Sequence, residues 1–266
     1  MSRARDRLGG ALRLRSAGER GYSLIELMVA IVIALFLIGG VLIVEQSVHT
    51  SYTDRSGLSQ LDDDERFTMT LLTEIAQAAG YYPDPATTSM VTALPAQVTT
   101  AGNGDALNFQ SGQSFYGLHN PAASGNEDTI AVRYMTASND GIPLCDGTTN
   151  TTGNNTVYTN YFYLSGGDLY CDLEVGNTWN APVQLVNNVE YMQIWYGLHT
   201  TAAMGSDYTV DTYVPAGSMT AGDWPEVTTV KLQVTFTNPL QAEQGQTAVT
   251  FTKVIAVMSR TGALSQ

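Results

Sequence analysis

The chain has 266 residues, 44% of them hydrophobic, and carries a formal net charge of −13 at pH 7. Six of its twelve basic residues lie at or before Arg20, so the part after Gly21 has 6 basic and 23 acidic residues and a formal charge of −17. The length allows one sizeable domain with a membrane segment. A body this acidic would repel phosphate groups, which argues against nucleic-acid binding.

The first predicted element is an apolar helix that runs from Leu27 to Val44, eighteen residues without a charge. At about 1.5 Å per residue it would span ~27 Å, close to the bilayer's hydrocarbon core of about 30 Å. No small-residue cleavage site follows, so we expect the segment to remain attached. The early arginines, and the lack of further basic residues until Arg55, indicate a cytoplasmic N-terminus and an exported body.

Glu26 lies at the edge of this apolar run. A carboxylate in a membrane segment costs a few kcal/mol unless it is paired, which makes Glu26 a candidate functional residue. The alternative is a carboxylate that reaches the membrane interface and gains from the helix dipole.

The sequence RGYSLIELMVAIVIALFLIGG, from Arg20 to Gly40, resembles the N-terminal signal of type IV pilins and pseudopilins. In that family a prepilin peptidase cuts after the last glycine of a basic leader and methylates the new N-terminal residue. The resemblance implies cleavage between Gly21 and Tyr22, and N-methylation of Tyr22. It also implies a salt bridge between the new α-amine and Glu26, in the same or a neighbouring subunit, which supports assembly. Tyr22 replaces the usual Phe but keeps an aromatic ring.

Gly39 and Gly40 interrupt the apolar run. Two interpretations stay open, since paired glycines both permit close packing of membrane helices and weaken a helix locally. The second would allow local melting as the helix moves from lipid into a filament.

Residues 45–80 are predicted to continue the helix as a stalk. Apolar side chains recur there at helical spacing, at Val48, Tyr52, Leu58, Leu61, Leu72, Ile75 and Ala79. Gly80 and Pro83 are stop signals, and Ser56 with Gly57 is a candidate bend. We interpret the acidic run 62–65 as a solvated helix face and not a calcium site, because consecutive helical residues point in different directions.

Residues 81–266 are predicted to form a strand-rich head. Alternating or β-branched segments predict strands at 129–137, 156–165, 168–174, 227–238 and 247–260. Gly166 and Gly167 predict a hairpin turn, and the segment 183–198 is interpreted as a short helix or strand followed by a strand. Laid over the apolar face of the stalk, the sheet gives an α+β fold in which a long N-terminal hydrophobic helix packs by its C-terminal half against an antiparallel sheet.

Cys145 and Cys171 are the two cysteines of the chain, 26 positions apart, and neither belongs to a metal-binding spacing. In an exported head we expect a disulfide between them, worth roughly 3 kcal/mol. Two buried thiols are the alternative.

Three segments resemble the PilW-like minor pilins: ERFTMTLLTEIAQAAGYY, VNNVEYMQIWYGL and FTKVIAVMSR. The resemblance implies a cleaved leader (1–21), an N-terminal helix (22–80, with 22–44 in the membrane and 45–80 as stalk) and an exported head (81–266). It implies a pilin-like fold and a minor pilin of the initiation or tip complex of the type IV pilus. The implied partners are other minor pilins, the major pilin, prepilin peptidase and the inner-membrane assembly platform. Such a protein sits in the inner membrane with its head in the periplasm, and then in the pilus at the cell surface.

No catalytic motif stands out, and His49, His119 and His199 are scattered, so we expect neither an enzyme nor a cofactor. Some relatives have a loop able to hold calcium, but the equivalent loop here offers Asp207 and Asp211 alone, and we expect no metal. A J-type pseudopilin of type II secretion and a pilus-tip adhesin are the alternative functions. Twitching, adhesion and DNA uptake are the pilus functions that stay open.

Overall fold

The computed structural model describes residues 21–119, 127–199, 209–240 and 248–261. One long helix, α1 (Leu24–Gln77), opens the structure and passes unbroken through both glycine-containing sites, Gly39–Gly40 and Ser56–Gly57. The chain divides into two compact units with the boundary between Thr53 and Asp54. The predicted domain boundaries, including the one after residue 80, stay a prediction.

The second unit is built mainly of short and medium strands. Its elements after α1 are α2 (Met90–Ala93), β1 (Gln97–Thr100), β2 (Ala106–Phe109), β3 (Phe115–Leu118), β4 (Thr129–Thr136), β5 (Thr156–Ser165), β6 (Asp168–Val175), β7 (Thr178–Trp179), β8 (Val183–Val186), β9 (Val189–Leu198), β10 (Thr212–Pro215), β11 (Val227–Thr237), β12 (Ala248–Ala256) and α3 (Met258–Thr261). Two 3₁₀ turns, Ala216–Ser218 and Trp224–Glu226, lie between β10 and β11.

The described strands form three antiparallel groups. The first group, β3-β4-β5-β6-β7, also pairs β8 with β6, and the second has the order β10-β9-β11-β12. The third group is the hairpin β1-β2, in which Gln97 lies opposite Phe109. The predicted α+β fold is therefore confirmed, although the strands are divided among more than one sheet.

The main core lies between the two larger sheets and the end of α1. Met69, Leu72, Ile75, Ala76 and Ala79 enter it from the helix side. Inward-facing residues of β11 belong to the same core, and the predicted set Val230, Leu232, Val234 and Phe236 is buried on one face, as alternation requires. The prediction that the sheet packs on the stalk is confirmed for these residues. Val48, Tyr52 and Leu58, assigned to the same apolar face, are exposed.

The hairpin β1-β2 buries a second apolar cluster on the outer face of the larger sheet. Leu107 and Phe109 of β2 pack there against Ala131, Tyr161 and Tyr163. Strands β4 and β5 are consequently buried on both faces. This second layer places charged side chains in the interior, as described below.

Several local predictions are confirmed. Gly166 and Gly167 have positive φ values of 63° and 87° and join β5 to β6 as a tight hairpin. Gly80, with φ of 71°, ends the helical region, and its N–H donates to the carbonyl of Arg133 in β4 at 2.9 Å. The segment 183–198 forms two strands, so its first part is a strand and not a short helix.

Candidate functional site

The predicted processing and assembly residues, Gly21, Tyr22 and Glu26, lie at or just before the start of α1. The backbone N–H groups of Glu26 and Leu27 both donate to the carbonyl of Ser23, at 3.0 and 3.1 Å, which closes the first turn. Glu26 lies in that turn, where a carboxylate interacts favourably with the helix dipole. Gly21 and Tyr22 precede the helix in exposed backbone, and the predicted leader 1–20 lies outside the described residues. The predicted cleavage point is thus in a non-helical, accessible segment.

The apolar part of α1 finds no partner within the described chain. Its large side chains between Leu24 and Val44 are all exposed, from 51% at Ile31 to 79% at Phe36. Among the described helices, α1 is the one long and apolar enough to cross a membrane. In water such a surface would be strongly unfavourable, so it requires lipid or other protein around it.

Gly39 and Gly40 lie in a shallow apolar depression on this part of α1. Side chains of Val32, Phe36 and Ile43 border it. A Cβ added at either glycine would meet nothing within 4 Å. The glycines are therefore not required by packing within the described chain, and both interpretations of the pair stay open.

Cys145 and Cys171 are joined as a disulfide, with their Cα atoms 6.0 Å apart. Cys145 lies in the loop between β4 and β5, while Cys171 lies in β6 opposite Phe162. Both cysteines are buried in the main core. The bridge holds a long loop to the sheet that packs on the end of α1.

Two histidines pair with aspartates in the head. The Nδ1 atom of His119 lies 2.5 Å from Oδ1 of Asp128, whose Oδ2 accepts from the N–H of Ile194 at 2.7 Å. Burial raises the pKa of Asp128, while its hydrogen bonds with Ile194 and His119 oppose that shift. The arrangement ties Asp128, just before β4, to β9 and to His119, just after β3, and so acts as a structural cross-link.

No cluster of three or more His, Cys, Asp or Glu side chains suits a metal ion in the part of the chain that the structure describes. Of the two aspartates considered for calcium, Asp211 has Oδ2 at 3.6 Å from Nδ1 of His199. Asp207 lies outside the described residues.

Sequence reasoning missed four buried charged residues among the described residues of the head: Asp128, Arg133, Asp172 and Glu174. Arg133 and Glu174 are each 1% exposed. Arg133 is the single charged residue of the segment TIAVRYMTA, and Glu174 ends DLYCDLE. In an alternating strand such residues are normally assigned to the solvent face. A charge flanked by apolar residues is the one available signal, and it does not distinguish a solvated face from a covered one.

Comparisons with known proteins match the two ends of the chain separately. The family model described as Prokaryotic N-terminal methylation motif matches residues 16–42, and that described as Type IV Pilus-assembly protein W matches residues 149–260. Among solved structures, a type IV-like pilin from Thermus thermophilus is similar, with a TM-score of 0.40 and 13% identity, covering 74% of this chain and 95% of that chain. No curated protein matches the chain. The first family model includes Gly21, Tyr22 and Glu26, and the second includes β5 to β12.

Proposed function

We propose that this chain, which belongs to the PilW-like type IV pilins, is a minor pilin that promotes assembly of the type IV pilus. In this role prepilin peptidase cleaves after Gly21 and methylates Tyr22. Before assembly, the mature subunit lies in the inner membrane with its head in the periplasm. It then joins other minor pilins in an initiation or tip complex on which the major pilin polymerises.

The exposed apolar part of α1, with Glu26 at its start, is the observation on which the proposal rests. A surface of this kind is stable in lipid and equally stable against the same surface of a neighbouring subunit, since both are apolar. A subunit could therefore leave the bilayer for a filament without exposing this part of α1 to water.

Glu26 would set the axial position that the subunit takes in the filament when it leaves the bilayer. After cleavage, Tyr22 carries a free α-amine four residues before the Glu26 carboxylate, about one helical turn away. An unpaired ammonium or carboxylate is strongly disfavoured in apolar surroundings, so each favours a position in which the other is close. Pairing of one subunit's amine with a neighbour's Glu26 selects one axial position of the helices.

The size of the head supports a place in a small complex more than in a repeating lattice. The folded unit after Thr53 contains two larger sheets and an added hairpin. So bulky a subunit would be difficult to repeat along a densely packed fibre, whereas a tip or initiation complex needs few copies.

The test replaces Glu26 and counts surface pili. We expect Glu26→Ala to reduce pilus number about tenfold or more, because an unpaired charge in apolar surroundings costs a few kcal/mol. Processing at Gly21 should continue, as shown by the mass of the membrane-extracted protein. Glu45→Ala is the matched control, since it removes an exposed glutamate just beyond the apolar run of the same helix, and it should leave pilus number unchanged.

Normal assembly by Glu26→Ala would overturn the role of the pairing. Deletion of the gene distinguishes a role in the type IV pilus from a role in a secretion pseudopilus. Loss of surface pili with normal protein secretion supports the role in the pilus. Loss of secretion with normal pili would assign the chain to a secretion pseudopilus instead.

A further inference from the structure

Strand β12 forms one edge of the second sheet, whose order is β10-β9-β11-β12. All nine of its residues pair with β11, from Ala248 opposite Thr237 to Ala256 opposite Thr229, without a bulge. Its other side pairs with no strand in the part of the chain that the structure describes. At about 3.4 Å per residue this free edge is ~30 Å long.

One hydrogen bond shows which backbone groups of β12 point away from β11. The N–H of Val257, the residue after β12, donates to the carbonyl of Thr228 at 2.9 Å, so these opposite residues form a hydrogen-bonded pair. Hydrogen-bonded and non-hydrogen-bonded pairs alternate along antiparallel strands. Every second residue of β12 therefore directs its N–H and C=O groups to the free edge, namely Ala248, Thr250, Thr252, Val254 and Ala256.

These outward-pointing backbone groups find no partner among the described residues. None of the backbone hydrogen bonds that join the described loops and turns to the strands reaches them. The side chains of Thr250, Thr252 and Val254 are exposed, that of Val254 to 54%. A row of free donors and acceptors on an exposed edge is a template for a further strand.

Lys253 restricts which strand can pair with this edge. It is the single charged residue of β12, is exposed, and pairs with no carboxylate among the described residues. A lysine on an edge strand opposes pairing with a strand that offers an apolar or a like-charged side chain opposite it. The edge therefore favours a strand that supplies Asp or Glu at that position. A second copy of β12 cannot do so, because the strand contains no acidic residue.

We infer that the free edge of β12 binds an extended segment of another pilin subunit, which joins the sheet as an additional strand and places an acidic residue opposite Lys253. Backbone hydrogen bonds supply the affinity, and the acidic residue selects the partner. The choice of a pilin as partner rests on the proposed function, in which several pilins lie side by side in one complex.

The test places the photo-cross-linking residue p-benzoylphenylalanine at Val254 of the full chain in cells, and identifies the attached peptide by mass spectrometry. We expect one major product, with a segment of another pilin that contains Asp or Glu. The same cross-linker at Val98, which is 78% exposed on β1 in a different sheet, should not yield this product.

Two variants carrying the cross-linker at Val254 examine the pairing. Thr252→Pro removes an N–H that points to the free edge and leaves the bonds to β11 in place, since Thr252 and Gln233 form a non-hydrogen-bonded pair. It should lower the yield of the product at least tenfold, whereas Thr252→Ala keeps the N–H and should leave the yield unchanged. Lys253→Glu should also lower it at least tenfold, and Lys231→Glu is the matched control, because it makes the same charge change in β11, away from the edge.

Absence of a product at Val254 would overturn the proposal, as would a product with β12 of a second copy or with a protein that is neither a pilin nor a pseudopilin. An undiminished yield in folded Thr252→Pro or in Lys253→Glu would also overturn it. Thermal unfolding midpoints show which variants fold, and Lys253→Glu, which alters no backbone group, decides the question if Thr252→Pro does not fold. A segment from a secretion pseudopilin would support the additional strand and overturn the proposed role in the pilus alone, so the two failures are distinguishable.

Discussion

The two ends of α1 are both rich in large apolar side chains, yet they differ in what surrounds them. Between Leu24 and Val44 these side chains are exposed, whereas Met69, Leu72 and Ile75 near the other end are at most 5% exposed. The second group packs into the core made with the two larger sheets. The first group has no covering surface among the described residues.

This difference shows that one helix serves two kinds of environment. The end of α1 folds as part of a head that supplies its own core, so its contacts are complete within one chain. The beginning depends on surroundings outside the chain, which we assign to lipid and then to other subunits. Substitutions at the two ends should therefore have separable effects, one on folding and the other on assembly.

The largest effect on folding is expected for Ile75→Ala. Ile75 is 0% exposed, and removing a buried isoleucine side chain typically costs about 4 kcal/mol through lost burial and the cavity left behind. Urea unfolding of the full chain in detergent, followed by tryptophan fluorescence, measures this loss. All three tryptophans lie in the head, at Trp179, Trp195 and Trp224.

Ile33→Ala is the matched control for that measurement, because Ile33 is 54% exposed on the same helix. It should leave head stability within about 0.5 kcal/mol of wild type. A comparable loss in both variants would show that the two ends of α1 are not separable.

The next effect concerns the disulfide. Replacing both Cys145 and Cys171 by alanine should lower the free energy of unfolding by about 3 kcal/mol, since the bridge restricts a loop in the unfolded chain. The same unfolding experiment measures it, with reduced wild-type protein as the second arm. Alkylation of the exported protein without reductant, followed by mass spectrometry, should find neither thiol free. Two modified thiols would contradict the pairing in cells.

The smallest expected effect is a pH dependence of the free energy of unfolding that arises from Asp172. Burial raises the pKa of this carboxyl, although the N–H of Gly102 donates to its Oδ2 at 2.7 Å. A raised pKa in the folded state means that the stabilising contribution is complete below the ordinary value of 3.8 and is lost as pH rises through the folded value. Ionised Asp172 therefore weakens the head at neutral pH.

Asp172→Asn removes this ionisation and keeps an acceptor for Gly102. We expect the variant to gain stability relative to wild type as pH rises from about 4 towards 7, the window that the raised pKa sets. Urea unfolding at several pH values measures the difference, with Asp62→Asn, at an exposed position on α1, as the control for net charge. A difference that falls as pH rises would contradict the sign.

The parts of the fold that follow from local patterns were predictable. Strong alternation located β4, β5 and β11 to within one or two residues, and the paired glycines gave the turn after Ser165. The strands β1, β2 and β3 were missed, because each has four residues and lacks a clear pattern. That omission hid the second layer. Without the hairpin, Arg133 and Glu174 belong to a solvent face, so their burial could not be inferred.

The candidate assembly residues were easier to predict than the buried charges of the head, since Gly21, Tyr22 and Glu26 form a local sequence pattern that needs no tertiary contact. The stalk shows that the helical spacing of apolar residues does not predict which of them are buried. Val48 and Tyr52 continue the helical spacing of Leu72 and Ile75, yet they are exposed, because spacing identifies a face and does not say where its covering surface ends.

The intact mass of the functional protein, extracted from membranes and from sheared pili, tests processing and assembly most directly. In both fractions we expect a chain that starts at Tyr22 and carries one N-methyl group. A functional chain that still begins at Met1, with the arginine-rich leader attached, would contradict the proposed processing and assembly.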